Sequence, residues 1–174
     1  MFRKMRRAKQ LLSKKETIAV LNRGTSGVLA LCGENQYPYA VPLSYVYSDC
    51  KIYFHCATTG YKLDSIKQNN KVSFCVIDKD TVMQEEYTTY FRSAIVFGKA
   101  YILSNEQEKR QALEKLAEKY SPHNEQGRLA EIEKFFQQVC MVKIDIEHMT
   151  GKEAIELVKQ KNCFCKRNDK KCIR

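Results

Sequence analysis

From Phe54 to Lys67 the chain reads Phe-His-Cys-Ala-Thr-Thr-Gly-Tyr-Lys-Leu-Asp-Ser-Ile-Lys. A strand-like stretch is followed by two hydroxyls and a glycine, and then by a helical pattern carrying Lys62 in its first turn. Backbone N–H groups at a helix start favour an anion, a glycine lets the chain approach it, and a lysine or hydroxyl adds charge-assisted hydrogen bonds. A phosphate fits that description, although the same turn composition also occurs where nothing binds. His55 is the titratable group beside it. A single strand histidine serves either as a hydrogen-bonded structural residue or as a proton donor. His123 and His148 are remote in sequence, so no His-x-x-x-His metal site is expected, and neither a Gly-x-Ser-x-Gly elbow nor a phosphate-loop lysine motif is present.

Short strands must position these residues. Val28–Cys32, Tyr39–Tyr47 and Lys51–Cys56 are apolar runs separated by Gly33-Glu-Asn-Gln36 and Ser48-Asp-Cys50, which have hairpin-turn composition. Lys71–Ile77 and Tyr87–Leu103 continue the strand texture, with Gly98 marking a bulge or kink in the longer one. In Val142-Lys-Ile-Asp-Ile-Glu147 apolar and charged residues alternate strictly, as in a half-buried strand. Helical spacing predicts helices over residues 5–22, 61–69, 104–120 and 126–137, the third opened by Ser104-Asn-Glu-Gln107 read as a capping box. The expected fold is mainly β with helices (α+β): a six-stranded antiparallel barrel over residues 1–152, followed by a basic, cysteine-containing helix or tail over residues 153–174. Regular strand–helix alternation and a glycine-rich first turn are both missing, which argues against a doubly wound α/β fold.

At 174 residues and 44% hydrophobic content the chain can bury a core without disulfides. Its eight cysteines are expected as reduced thiols, with Cys32, Cys56, Cys75 and Cys140 inside apolar runs and Cys163, Cys165 and Cys172 in the tail. No run approaches the roughly 18 apolar residues of a membrane span, and the basic start Met1-Phe-Arg-Lys-Met-Arg-Arg lacks a secretory apolar stretch, so a cytoplasmic protein is expected. The net charge of +10 is concentrated at the ends: residues 1–15 carry +7 and residues 159–174 carry +6, leaving −3 for the middle. That distribution offers no basic groove for nucleic acid.

The ordered set Tyr37–Tyr45, Tyr53–Ala57, Gly60-Tyr-Lys62, Asn70–Phe74, Phe91–Gly98 and Thr150-Gly-Lys152 resembles the FMN-binding split-barrel family related to pyridoxamine 5′-phosphate oxidase, and within it the nitroimidazole-resistance proteins. The resemblance implies a homodimer with FMN at its interface. Val41, Pro42, Leu43 and Tyr45 would lie along the isoalloxazine ring, and Phe54, His55, Cys56 and Ala57 would continue that wall. Thr59, Lys62, Arg92 and Ser93 would hold the phosphate, while Tyr87, Tyr90 or Phe135 of the second subunit would supply an aromatic lid. Flavin would take a hydride from NAD(P)H or another donor and pass electrons to a small molecule such as a nitroimidazole, with His55 as the catalytic proton donor. A non-enzymatic FMN- or haem-binding storage or sensor module is the alternative. The tail departs from the substrate-binding C-terminus of the oxidase, which argues against vitamin B6 oxidation.

Overall fold

A computed structural model describes residues 2–169 of the chain. Seven strands form one antiparallel sheet: β1 (Ser26–Cys32), β2 (Pro38–Ser44), β3 (Val46–Ser48), β4 (Lys51–Ala57), β5 (Lys71–Met83), β6 (Thr88–Ile102) and β7 (Val139–Glu153). Their order across the sheet is β2-β1-β5-β6-β7-β4-β3. The two edge strands, β2 and β3, are neighbours in sequence with only Tyr45 between them, so the sheet curls until its edges meet at that residue. This is the expected antiparallel split barrel, with one strand more because the predicted Tyr39–Tyr47 strand breaks.

Side chains cause the break. Tyr45 is wholly buried; its hydroxyl donates to the Leu21 carbonyl at 2.7 Å and its ring meets Phe74 edge-on at 4.9 Å. Its backbone N–H donates to the Tyr120 hydroxyl at 3.0 Å, and its carbonyl accepts from the same hydroxyl at 3.1 Å. Both backbone groups are thus satisfied without a ladder, which a buried peptide unit requires.

Among the described residues five α-helices decorate the barrel: α1 (Lys14–Arg23), α2 (Tyr61–Gln68), α3 (Glu106–Tyr120), α4 (Glu125–Phe135) and α5 (Ile155–Asp169). The first starts later than the predicted 5–22. Ser13 caps it by accepting from Glu16 N–H while the Glu16 carboxylate accepts from Ser13 N–H, and Leu12 is drawn instead toward β7 through its N–H to the Gly151 carbonyl at 3.0 Å. Likewise α3 is capped by Asn105, which accepts from Glu108 N–H, one residue beyond the expected box. Gly98 does mark a bulge: Phe97 pairs with His148 but Gly98 with Ile146, leaving Glu147 as the extra residue. A Cβ at Gly98 would stand 2.2 Å from the Asp145 carbonyl oxygen, so no larger residue fits. β5 runs past the predicted Ile77 to Met83 and pairs with the start of β6, which keeps close to its predicted bounds; the two form an arm whose tip, Tyr87, adopts a left-handed conformation.

Two cores result. Alternate residues of the strands, among them Leu29, Phe54, Phe74, Val96 and Val142, fill the barrel. A second cluster joins Leu113, Leu116, Ile132 and Phe136 of the α3–α4 hairpin and its exit to Tyr53 and Met141 on the outer wall. Among the described residues, no helix is long and apolar enough to cross a membrane.

Candidate functional site

The curling sheet leaves a split. β4 pairs with β7 along its whole length, from Lys51–Asp145 to Ala57–Val139, but with β3 only from Lys51 to Tyr53. β2 pairs with β1 alone. Beyond Tyr45, therefore, Pro38–Ser44 and Phe54–Ala57 face one another as strand edges whose N–H and C=O groups lack ladder partners on that side. Unpaired edges are what a planar, hydrogen-bonding ligand can read.

The side chains divide by strand alternation. Phe54 is fully buried in the barrel, Cys56 packs against the same core, and Val41 and Leu43 also turn inward. These four side chains and that of Tyr45 therefore turn away from the split, and what β2 and β4 offer there is their backbone. Pro42, His55 and Ala57 point outward, Pro42 and Ala57 being exposed. His55 reaches solvent, yet burial of its base lowers its pKa, and the positive charge of Lys62 lowers it further. The imidazole is accordingly neutral near pH 7.

At the end of β4, Thr59 is exposed and Gly60 takes φ of 129°, a conformation that favours glycine, with open space where a side chain would be. Lys62 follows in the first turn of α2, its Nζ 5.6 Å from the Phe54 ring centre. No carboxylate pairs with Lys62 among the described residues. Its charge is nevertheless felt by His55 and by Cys56. Lys62 thus lies near enough to His55 and Cys56 for its charge to act on both.

Arg92 does not join them. It pairs with Glu153 at one end of β7, whereas Ala57 pairs with Val139 at the other. Its Nε donates to Glu153 at 3.1 Å and its Nη1 to Asp78 at 3.3 Å, and Arg23 holds Asp78 from the other side through two bonds of 2.9 Å. Burial acts to raise the Asp78 pKa, but hydrogen bonds and charge from Arg23 and Arg92 outweigh it and hold the carboxyl below its usual range. Lys161 of α5 adds a contact of 2.7 Å to Glu153. Within one chain, Arg92 is a structural cation. Ser93 lies beside Lys152 on the outer sheet face, next in alternation to exposed Ile95 and Phe97.

The sequence reading missed a cavity of about 690 Å³ between the α3–α4 hairpin and the outer wall, lined by Ser44, His55, Leu116, Arg128 and Phe135 among others. The apolar stripe of α3 was its only sequence signal, and a stripe that merely packs looks the same. Of the aromatic lid residues, Phe135 lines this cavity in the same chain as His55. Tyr90 is bonded to Glu86, and Tyr87 stands almost fully exposed at the arm tip. No group of three or more metal-ligating side chains occurs among the described residues; Cys163 is exposed, and Cys172 lies outside them.

A family model described as pyridoxamine 5′-phosphate oxidase matches residues 13–153. No curated protein matches the chain by sequence. Among solved structures, an FAD-binding protein of Mesorhizobium loti is 28% identical, with a TM-score of 0.63 and coverage of 83% of this chain and 97% of that one. A candidate 5-nitroimidazole antibiotic resistance protein of Bacteroides thetaiotaomicron is 21% identical, with a TM-score of 0.70 over 82% and 86% of the two chains. The FAD and heme binding protein of Mycobacterium smegmatis is 19% identical, with a TM-score of 0.70 over 84% and 73%. With its split barrel and a match spanning residues 13–153, this chain belongs to the pyridoxamine 5′-phosphate oxidase family.

Proposed function

We propose that the chain is an FMN-dependent oxidoreductase, working as a cytoplasmic homodimer, that reduces a small acceptor such as a nitroimidazole or another nitroaromatic. The observation that carries this reading is the split itself. Two strand edges without partners converge on an exposed histidine, a glycine-led helix start and a lysine without a carboxylate partner among the described residues. The backbone of Val41, Pro42 and Leu43 and of Phe54–Ala57 fits the polar rim of an isoalloxazine ring, and Thr59 with Lys62 fits its phosphate. Bound flavin would supply two-electron hydride chemistry, with NADH or NADPH as donor.

The chain's own residues then have separable tasks. Lys62 neutralises the phosphate. His55, between the split and the cavity, orients an aromatic acceptor through a hydrogen bond in its neutral form, and the small imidazolium fraction that its lowered pKa leaves delivers the proton. Apolar walls at Leu116 and Phe135 exclude water from that acceptor. Exposed Ile77, Ile95 and Phe97 on the outer sheet face, with Val82 and Tyr87 on the arm, provide the surface for the second subunit, which would bring its Ser93 to the cofactor.

Titration of the purified protein with FMN, followed from 300 to 700 nm, tests the reading: bound flavin that bleaches under an anaerobic donor supports it, and no binding at excess FMN or FAD ends it. A preference for FAD would move the cofactor assignment within the flavins. The accessible imidazole beside an apolar cavity also favours a second reading, haem binding without turnover, which a Soret band on haem titration would bring forward.

A further inference from the structure

Cys56 and Cys140 are direct register partners on antiparallel β4 and β7, and both side chains turn to the barrel interior, where they are half-buried. Among the described strands they are the one pair of cysteines placed opposite each other. Directly opposed residues of an antiparallel pair have Cα atoms about 4.5–5.5 Å apart, inside the roughly 4.4–6.8 Å range that a disulfide spans. Their Cβ atoms stand about 4.5–5.5 Å apart in the relaxed ladder and must close to about 3.5–4.5 Å. The bond is therefore reachable by a small local movement, and the pull on both strands makes it readily reduced.

We propose that Cys56 and Cys140 form a reversible dithiol–disulfide couple, oxidised by a low-molecular-weight disulfide. One thiol, as its thiolate, attacks the small disulfide, forms a mixed disulfide and releases one small thiol. The facing thiol, also deprotonated, then displaces the second small thiol and closes the S–S bond between β4 and β7. Two protein thiols are oxidised, one small disulfide is reduced to two small thiols, and the two protons end on those products.

The surroundings set how fast the couple responds. Burial and the neighbouring Cys140 push the Cys56 thiol up to about 11, only partly offset by Lys62, so little thiolate is present at neutral pH. Cytosolic disulfides are in general transient and redox-sensing, which matches such a pair. Residues 54–57 form one wall of the split, so the couple places an oxidant-sensitive joint in that wall. Neither the register nor the exchange chemistry depends on which cofactor the split holds.

The test treats the full-length protein with oxidised glutathione, blocks free thiols with an alkylating reagent, and maps peptides by mass spectrometry with and without reductant. The expected result is a Cys56–Cys140 cross-linked peptide, about 2 Da lighter than the two reduced peptides together, which disappears with dithiothreitol. Cys140→Ser should instead trap glutathione on Cys56. Separate recovery of both alkylated peptides after exhaustive oxidation, or persistent glutathione on either cysteine of the unsubstituted protein, would overturn the proposal. Near-native circular dichroism of Cys140→Ser shows that the trapped adduct reports on a folded chain; if that variant unfolds, the unsubstituted protein's peptide map decides alone.

Discussion

The barrel treats its cations in two opposite ways. Where α1 and α5 meet β5, β6 and β7, Arg23, Arg92 and Lys161 are matched to Asp78, Glu153 and Glu16, and the Asp78 and Glu153 side chains are almost closed off from solvent. At the split, Lys62 has no carboxylate partner among the described residues and sits beside a neutral histidine. An enclosed carboxylate left without its cation costs several kcal/mol, so the first set is held in place by the fold's own stability. A half-exposed lysine costs little to leave free, and it keeps its donors for something else. The contrast separates architecture from binding more cleanly than residue type does, since both regions are rich in the same side chains.

Arg92→Ala should have the largest effect, because it takes one of two cations from each of two enclosed carboxylates, leaving Asp78 with Arg23 alone and Glu153 with Lys161 alone: we expect about 3 kcal/mol lost from the unfolding free energy in a denaturant melt. Flavin affinity of the folded fraction should stay within about twofold. The opposite pattern would dissolve the comparison by making Arg92 a ligand. His55→Gln should slow acceptor reduction about a hundredfold while flavin still binds, as general acid–base roles usually show. Unchanged turnover would remove His55 from the chemistry. Lys62→Gln should weaken FMN binding about thirtyfold, corresponding to about 2 kcal/mol for charge-assisted bonds to phosphate, with stability altered by less than about 0.5 kcal/mol.

The smallest effect concerns Lys119, whose Nζ lies 4.0 Å from the Tyr45 ring centre and donates to the Gly24 carbonyl, near the meeting point of the sheet edges. Burial lowers its pKa from 10.5 to about 8. Between those values the unfolded chain keeps a proton that the folded chain has released, so this group makes stability rise as pH climbs from about 8 to 10.5. Partial exposure reduces the contribution to about 1 kcal/mol. Parallel melts of the parent protein and Lys119→Met across that window should differ in slope by this amount; identical slopes would show that Lys119 stays charged.

Much of this could be read from the sequence, and the failures have a common cause. Alternation in Val142–Glu147 and the Gly98 kink are local signals, and both appear in the structure as a strand and a bulge. The Thr59–Lys62 turn was also legible, because glycine, hydroxyl and lysine act through their immediate neighbours. Tyr45 was not: it lies within an apolar run, and what breaks the strand there is Leu21, Phe74 and Tyr120 arriving from elsewhere. Arg92 likewise looks like a phosphate ligand until Asp78 and Glu153 are seen beside it. Long-range partners decide these roles, and a single sequence records the partners without recording that they meet.

The passage through Tyr45 also bears on how the chain reaches this state. Both sheet edges lie within one short stretch, so β1 with β2 and β3 with β4 can form their hairpins while little of the protein exists. β4, however, needs β7, nearly ninety residues further on, before Ile52 and Phe54 have a covered neighbour. Until β7 is in place, β4 keeps an apolar edge in water. The slowest step of barrel closure is therefore this one pairing of distant segments, and apolar surface stays open until it is made.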